Sequence, residues 1–197
     1  MTSPVSTQPG YHPFEPPPAP RTPKSAGTRK RIVEVAAHLF IERGYSAVSM
    51  RDIAAAAELT KGAVYGHFRS KGQLLVEAIR WKLAERDHSP EFRDAVSNPV
   101  TGVVLMYDES GRETRLLEVD AAAAARHDAD VASGLADLYR ERHERIRDAM
   151  GASLDPDTAA WLVAALTGGI GMKESTGLPR PDDDHLHAAL LRLLGQL

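Results

Sequence analysis

The segment Thr60-Lys61-Gly62-Ala63 concentrates residue types suited to holding a polyanion. A hydroxyl that caps a helix start is followed at once by a cation, then by two residues small enough to let the backbone approach a groove. The helix starts at Ser49 and Ser70 carry Asp52 and Gln73 three residues on, completing a capping box, but the start at Thr60 has no such acid or amide. Its first-turn N–H groups and positive dipole end are therefore left to face phosphate. Ala63 is also of a size to pack against a thymine methyl. Tyr65, His67, Arg69 and Lys71 follow, all capable of donating to phosphate, and such contacts fix register without reading sequence. Each also has a plainer reading. Tyr65 and Phe68 suit a core, Phe68 more so, and His67 suits a surface or cap. Lys71 suits solvent, although a cation in a helix's first turn opposes the dipole unless a phosphate lies near.

Other chemistry finds little support. With no cysteine there is no disulfide, thiolate site or thiol nucleophile. The eight histidines show no HExxH or paired-ligand spacing, and no nucleophile elbow is present. His185 and His187 beside Asp182–Asp184 read as a solvated helix start, with a weak adventitious metal site as the alternative. Gly168-Gly169-Ile170-Gly171 has the wrong spacing for a dinucleotide loop, and no strand precedes it. We therefore expect no catalytic residue, no metal and no cofactor.

The elements that must position Thr60–Ala63 are two short helices separated by a turn, within Ser49–Phe68. That spacing matches a helix-turn-helix, whose second helix enters the major groove with its N-terminal residues toward the bases. A preceding helix presents Ile32, Val35, Ala36, Leu39 and Phe40 on one stripe, with Thr28 as its expected N-cap and Gly44 as its left-handed stop. The third helix is expected to run from Thr60 to Phe68, and a fourth to open at Ser70.

Charge is distributed unevenly around this motif. From Arg21 to Lys82 there are 12 Lys/Arg against 5 Asp/Glu, whereas the rest of the chain has 12 against 22, giving the overall −3. A basic segment on an acidic protein points to a polyanion partner for that segment. Eight of the 13 prolines fall between Pro4 and Pro23, so residues 1–26 read as a disordered tail, with a basic end near phosphates or with no role. No run is long and apolar enough to cross a bilayer and no secretory signal opens the chain, so the expected location is cytoplasmic, away from membranes.

The stretch from Gly27 to Leu75 resembles the DNA-binding domain of the TetR family of bacterial transcriptional regulators. The matching residues are Thr28-Arg29, Ala36-x-x-Leu39-Phe40-x-x-x-Gly44-Tyr45, Ile53-Ala54, Thr60-Lys61-Gly62-Ala63 and Tyr65-x-His67-Phe68-x-x-Lys71. The resemblance implies an all-α fold of about nine to ten helices. A helix-turn-helix domain over 27–73 (motif 49–68) would be followed by a helical effector-binding and dimerisation domain over 74–197. It places Ser49, Arg51, Thr60, Lys61, Ala63, Tyr65, His67 and Lys71 at DNA, with Gly62 in the same turn, and implies a small-molecule effector as partner. Two residues depart from the family pattern. Glu58 stands where glycine is common in the turn, at a cost of roughly a kcal/mol if φ is positive. Its carboxylate would also repel phosphate. Gly66 falls inside the expected recognition helix.

Beyond Leu83 the period stays helical. Helices are expected from Ser89-Pro90, over Val100–Tyr107 (where strand is the near alternative), Arg112–Arg126, Asp130–Met150, from Asp155-Pro156 to Met172, and over Asp183–Leu194. By resemblance, two late helices build the homodimer. The candidates are Leu135, Leu138, Tyr139, Arg142 and Ile146 on one, and Ala164, Gly168 and Met172 on the other, which is apolar nearly all round. Pairing also follows from DNA geometry, since two recognition helices about 34 Å apart read a palindromic operator in double-stranded DNA. Candidate pocket residues are Trp81, Phe92, Leu105, Met106, Tyr107, Leu116 and Trp161, each also readable as core. The expected function is a ligand-released repressor. The alternatives are a DNA-binding architectural protein without an effector and, more remotely, an enzyme.

Overall fold

A computed structural model describes residues 23–95, 107–150 and 155–193, and every regular element among them is helical. The elements are α1 (Pro23–Arg43), α2 (Met50–Ala56), α3 (Lys61–Tyr65), α4 (Lys71–Asp87) and α5 (Pro90–Ala95). A 3-10 turn at Glu109–Gly111 leads into α6 (Arg112–Ala124), followed by α7 (Ala129–Met150), α8 (Pro156–Ser175) and α9 (Asp183–Leu193). The expected helix over Val100–Tyr107 lies outside the described residues apart from Tyr107.

The first helix starts earlier than the cap signal at Thr28 predicts. Pro23 opens it, since proline tolerates the first helical position, where its missing N–H is not needed. Thr28 is therefore interior to α1. At the other end Gly44 takes φ 79° and its N–H returns to the Phe40 carbonyl at 2.9 Å. A Cβ at Gly44 would meet only the Asp120 carboxylate at 3.8 Å, so the cost of Gly44→Ala is the backbone conformation alone. We expect about 1–2 kcal/mol of lost stability in urea titrations.

α2, α3 and α4 start as their caps require. Ser49 accepts the Asp52 N–H while Asp52 accepts the Ser49 N–H, the reciprocal box. Thr60 accepts the Ala63 N–H at 3.1 Å. Ser70 accepts from Gln73, but the Gln73 side chain returns to the Arg69 N–H instead of that of Ser70. α3 stops at Tyr65, three residues short of the expected end. Gly66 is its C-cap at φ −66°, so this glycine ends the recognition helix and does not interrupt it.

One apolar core runs from the first three helices into the second domain. Ile32, Phe40, Ile53, Val64, Phe68, Leu74 and Ile79 pack continuously with Leu117, Ala121, Val131, Leu135 and Leu138. The core does not break near residue 73, because α4 passes through it and packs on α1, α6 and α7. A second cluster joins Phe92, Tyr107, Ile146, Ala160, Val163 and Leu190. α6 lies against α8, and α8 against α7.

Candidate nucleic-acid interface

The α2–α3 turn keeps its left-handed geometry without glycine. Glu58 takes φ 53°, the Leu59 N–H reaches the Ala54 carbonyl at 2.9 Å, and the Glu58 N–H reaches Ala55 at 3.1 Å. These two bonds form a Schellman closure, which needs one residue at positive φ. The Glu58 carboxylate pairs with Arg31 at 2.8 Å, so a charge expected to repel phosphate is matched within the chain.

This closure presents α3 with Thr60, Lys61, Gly62 and Tyr65 exposed, Tyr65 by 44%. The Lys61 ammonium stands 5.5 Å from the Tyr65 ring centroid, which puts cation and phenol on one face. Arg51 is exposed on α2, while Ala63 and His67 are half-buried. Val64 and Phe68 are fully buried and hold the helix to the core. Ser49 is exposed, but its hydroxyl is engaged with the Asp52 carboxylate, which that bond holds below the usual carboxylate range.

Lys71 is held within the chain. Its ammonium donates to the carbonyls of Tyr45 and Val48, each at 2.9 Å, and lies 4.1 Å from the Tyr45 ring centroid. Burial lowers its pKa, opposed by the nearby Asp128 charge. The conflict between this cation and the helix dipole is thus relieved by two carbonyls inside the chain. Arg29 is likewise engaged, stacked on Phe68 and paired with Glu77 at 3.2 Å.

Among the described residues, the expected pocket set is divided over several places. Phe92 and Tyr107 share the second core cluster, where the Tyr107 hydroxyl donates to the Val163 carbonyl at 3.0 Å. Trp81 packs on the first cluster, its ring edge-on to His38. Leu116 lines a half-open cleft of about 230 Å³ between α1, α6 and the end of α8. Trp161 is 65% exposed on the outer face of α8. Leu105 and Met106 lie outside the described residues.

The expected dimer residues divide in two. Leu135, Leu138, Arg142 and Ile146 are buried within the chain, because that stripe of α7 faces α4, α6 and α8. They are unavailable to a second copy. Ala164, Gly168 and Met172 are exposed, as are Trp161, Leu162, Leu166 and Tyr139. Two buried ion pairs went unforeseen, Arg142–Glu118 at 2.8 Å and Arg115–Glu174 at 2.6 Å. Arg142 within an apolar stripe was the one signal in the sequence, since a charge there requires a buried partner. Among the described residues no three metal-ligand side chains converge, and no helix is long and apolar enough to cross a membrane.

The family described as bacterial regulatory proteins, tetR family, matches residues 32–78. The HTH-type transcriptional repressor KstR2 of Rhodococcus jostii (strain RHA1) is 45% identical over 65 residues, 33% of this chain and 32% of that protein. The match therefore spans about a third of that relative's length. A structure from Rhodococcus sp. assigned to the TetR-family transcriptional regulators superposes with a TM-score of 0.70 at 21% identity, covering 85% of this chain and 96% of that one. AibR, solved with isovaleryl coenzyme A and operator DNA, superposes at 0.52 with 21% identity, covering 84% and 97%. At these identities the structures establish a shared fold, and the sequence match lies on the helices that present Thr60–Tyr65. Residues 32–78 are thus those of the N-terminal domain described for the tetR family of bacterial regulatory proteins, and the whole chain shares its fold with solved regulators of that kind.

Proposed function

We propose that the chain is a transcriptional repressor that binds a palindromic operator as a homodimer and leaves it when a small molecule occupies the second domain. The observation that carries the DNA-binding part is α3. It is a capped helix start with Lys61 and Tyr65 exposed on one face and Val64 buried on the other. Lys61 and Tyr65 would hold phosphate, Gly62 and Ala63 would let the backbone and a methyl reach base edges, and Arg51 would add a phosphate contact. Such a protein would work in the cytoplasm, where the chromosome is.

The named function of KstR2 supports the repressor reading, and the operator DNA and acyl thioester bound by AibR support a ligand-responsive one. The dimer has support within this chain as well. α8 buries Ala160, Val163, Thr167, Gly171 and Glu174, yet leaves Trp161, Leu162, Leu166 and Met172 on its outer face. Contiguous exposed apolar surface of this kind marks an interaction site.

The test is selection of duplexes by the full chain from a random-sequence pool. An inverted repeat is the expected product. Lys61→Ala and Tyr65→Ala should each weaken binding to the selected duplex by about 5- to 100-fold with an unchanged circular dichroism spectrum. Wild-type affinity in both variants would remove α3 as the contact helix. A compound that quenches Trp81 or Trp161 and also releases the duplex would support the effector part. If broad ligand screens never weaken binding, that part is lost.

A further inference from the structure

The turn between α1 and α2 leads directly into Ser49 and Arg51, and it is gripped from outside the helix-turn-helix. Asp120 on α6 accepts the Tyr45 N–H at 2.7 Å. Asp128, just before α7, accepts the Tyr45 hydroxyl at 3.3 Å, and that burial and charge push the phenol up to about 12. From α4, Lys71 donates to the Tyr45 and Val48 carbonyls. The N–H, carbonyl and hydroxyl of Tyr45 are thus all held, two of them by the second domain.

The surrounding contact leaves no slack. A Cβ at Gly72 would fall 2.7 Å from Val131 and 2.8 Å from the Asp128 carboxylate, so the start of α4 lies directly on the start of α7. A Cβ at Gly134 would fall 2.9 Å from Val76 one turn further on. Beside them Ser70 donates to Asp130 at 2.6 Å.

Resting on the DNA-binding reading above, we infer that Lys71 and Asp120 are positioning residues that clamp the Tyr45–Val48 turn, so that the second domain sets the orientation of α2 and α3 toward DNA. Lys71 then makes no phosphate contact. Charge makes this separable from a direct electrostatic role. A lysine on phosphate contributes about 0.9 to the slope of log affinity against log salt, and its removal lowers that slope. A lysine that only positions the turn lowers affinity equally at every salt. For Asp120 the two roles differ in sign. Removing a carboxylate near a polyanion strengthens binding by charge alone, whereas loosening the turn weakens it.

The experiment uses the full chain and the duplex that the wild type selects from a random pool, titrated by fluorescence anisotropy across a salt series. Lys71→Met and Asp120→Ala are compared, with circular dichroism melts to confirm folding. Both should bind about tenfold more weakly, the loss expected for one orienting hydrogen bond to a buried group, with slopes parallel to wild type. A Lys71→Met slope reduced by about 0.9, or an Asp120→Ala variant that binds as well as wild type or better, overturns the inference. If Lys71→Met does not fold, Asp120→Ala decides alone, since alanine suits the helix it sits on. A wild-type chain that selects no duplex overturns the DNA-binding reading, and this inference with it. Selection by wild type together with either contrary result overturns the inference alone.

Discussion

In the homodimer proposed above, Leu166→Glu should leave a folded monomer, and should cost about 10²–10⁴-fold in affinity for the palindromic duplex that the dimer would select. Leu166 is 41% exposed on α8, so in the single chain the substitution places a carboxylate in water and changes stability little. Across the two-fold axis of the proposed dimer the same side chain would meet the face of its own copy, and two carboxylates would be buried there without partners. Gly168 and Gly169 have open space where a Cβ would stand, which leaves room for a second α8 to approach closely. Tyr139 of α7 is exposed as well. A monomer keeps one recognition helix and loses the second, tethered contact that makes a palindrome bind tightly. Sedimentation should give the 21.4 kDa chain in place of twice that mass. A Leu166→Glu protein that still sediments as a dimer would place the interface elsewhere.

What could be foreseen from the sequence was local. Ser49 with Asp52, Gly44 after Phe40, and Asp155 before Pro156 are signals contained within one turn of chain, and each produced the cap or stop it implies. Thr28 misled because a good cap residue can equally sit inside a helix that Pro23 has already begun. The contacts at the site that spacing could not show come from distant parts of the chain. Arg31 lies 27 residues from Glu58, and Asp120 lies 75 from Tyr45. Nothing in spacing predicts that Lys71 turns toward two carbonyls and away from solvent. α8 shows the limit of composition: apolar positions on all sides announce burial, but only packing tells which face α6 and α7 cover and which is left for another partner. The same limit scattered the expected pocket, since aromatic residues that share a hydrophobic character occupy separate places in the fold.

The second large effect is on stability, at the junction of α6, α8 and the segment before α9. Glu174 receives Arg115 through both oxygens, at 2.9 and 2.6 Å, and Arg180 approaches the same carboxylate at 3.4 Å. Arg115 and Glu174 are both buried, and Arg115 also donates to the Asp108 carbonyl at 2.8 Å. A Cβ at Gly171 would stand 3.0 Å from the Arg115 carbonyl, so α8 lies close enough on α6 that the pair cannot separate without parting the helices. Glu174→Ala leaves the buried Arg115 guanidinium without its carboxylate, while Arg180 keeps Glu109 and Asp183. We expect a loss of about 3–5 kcal/mol, the cost of stranding a buried charge. In thermal melts that corresponds to roughly 6–20 °C for a chain of this size. Replacing both partners with apolar residues, Arg115→Met with Glu174→Leu, removes the stranded charge and should recover most of the loss, because desolvating the pair already consumed much of its Coulombic gain. Chemical denaturation of the two single variants and the double variant measures this directly. A single-variant loss below about 1 kcal/mol would mean that the pair is solvated, as exposed pairs are. A double variant no more stable than Glu174→Ala would mean instead that its geometry, and not its charge, holds α8 to α6.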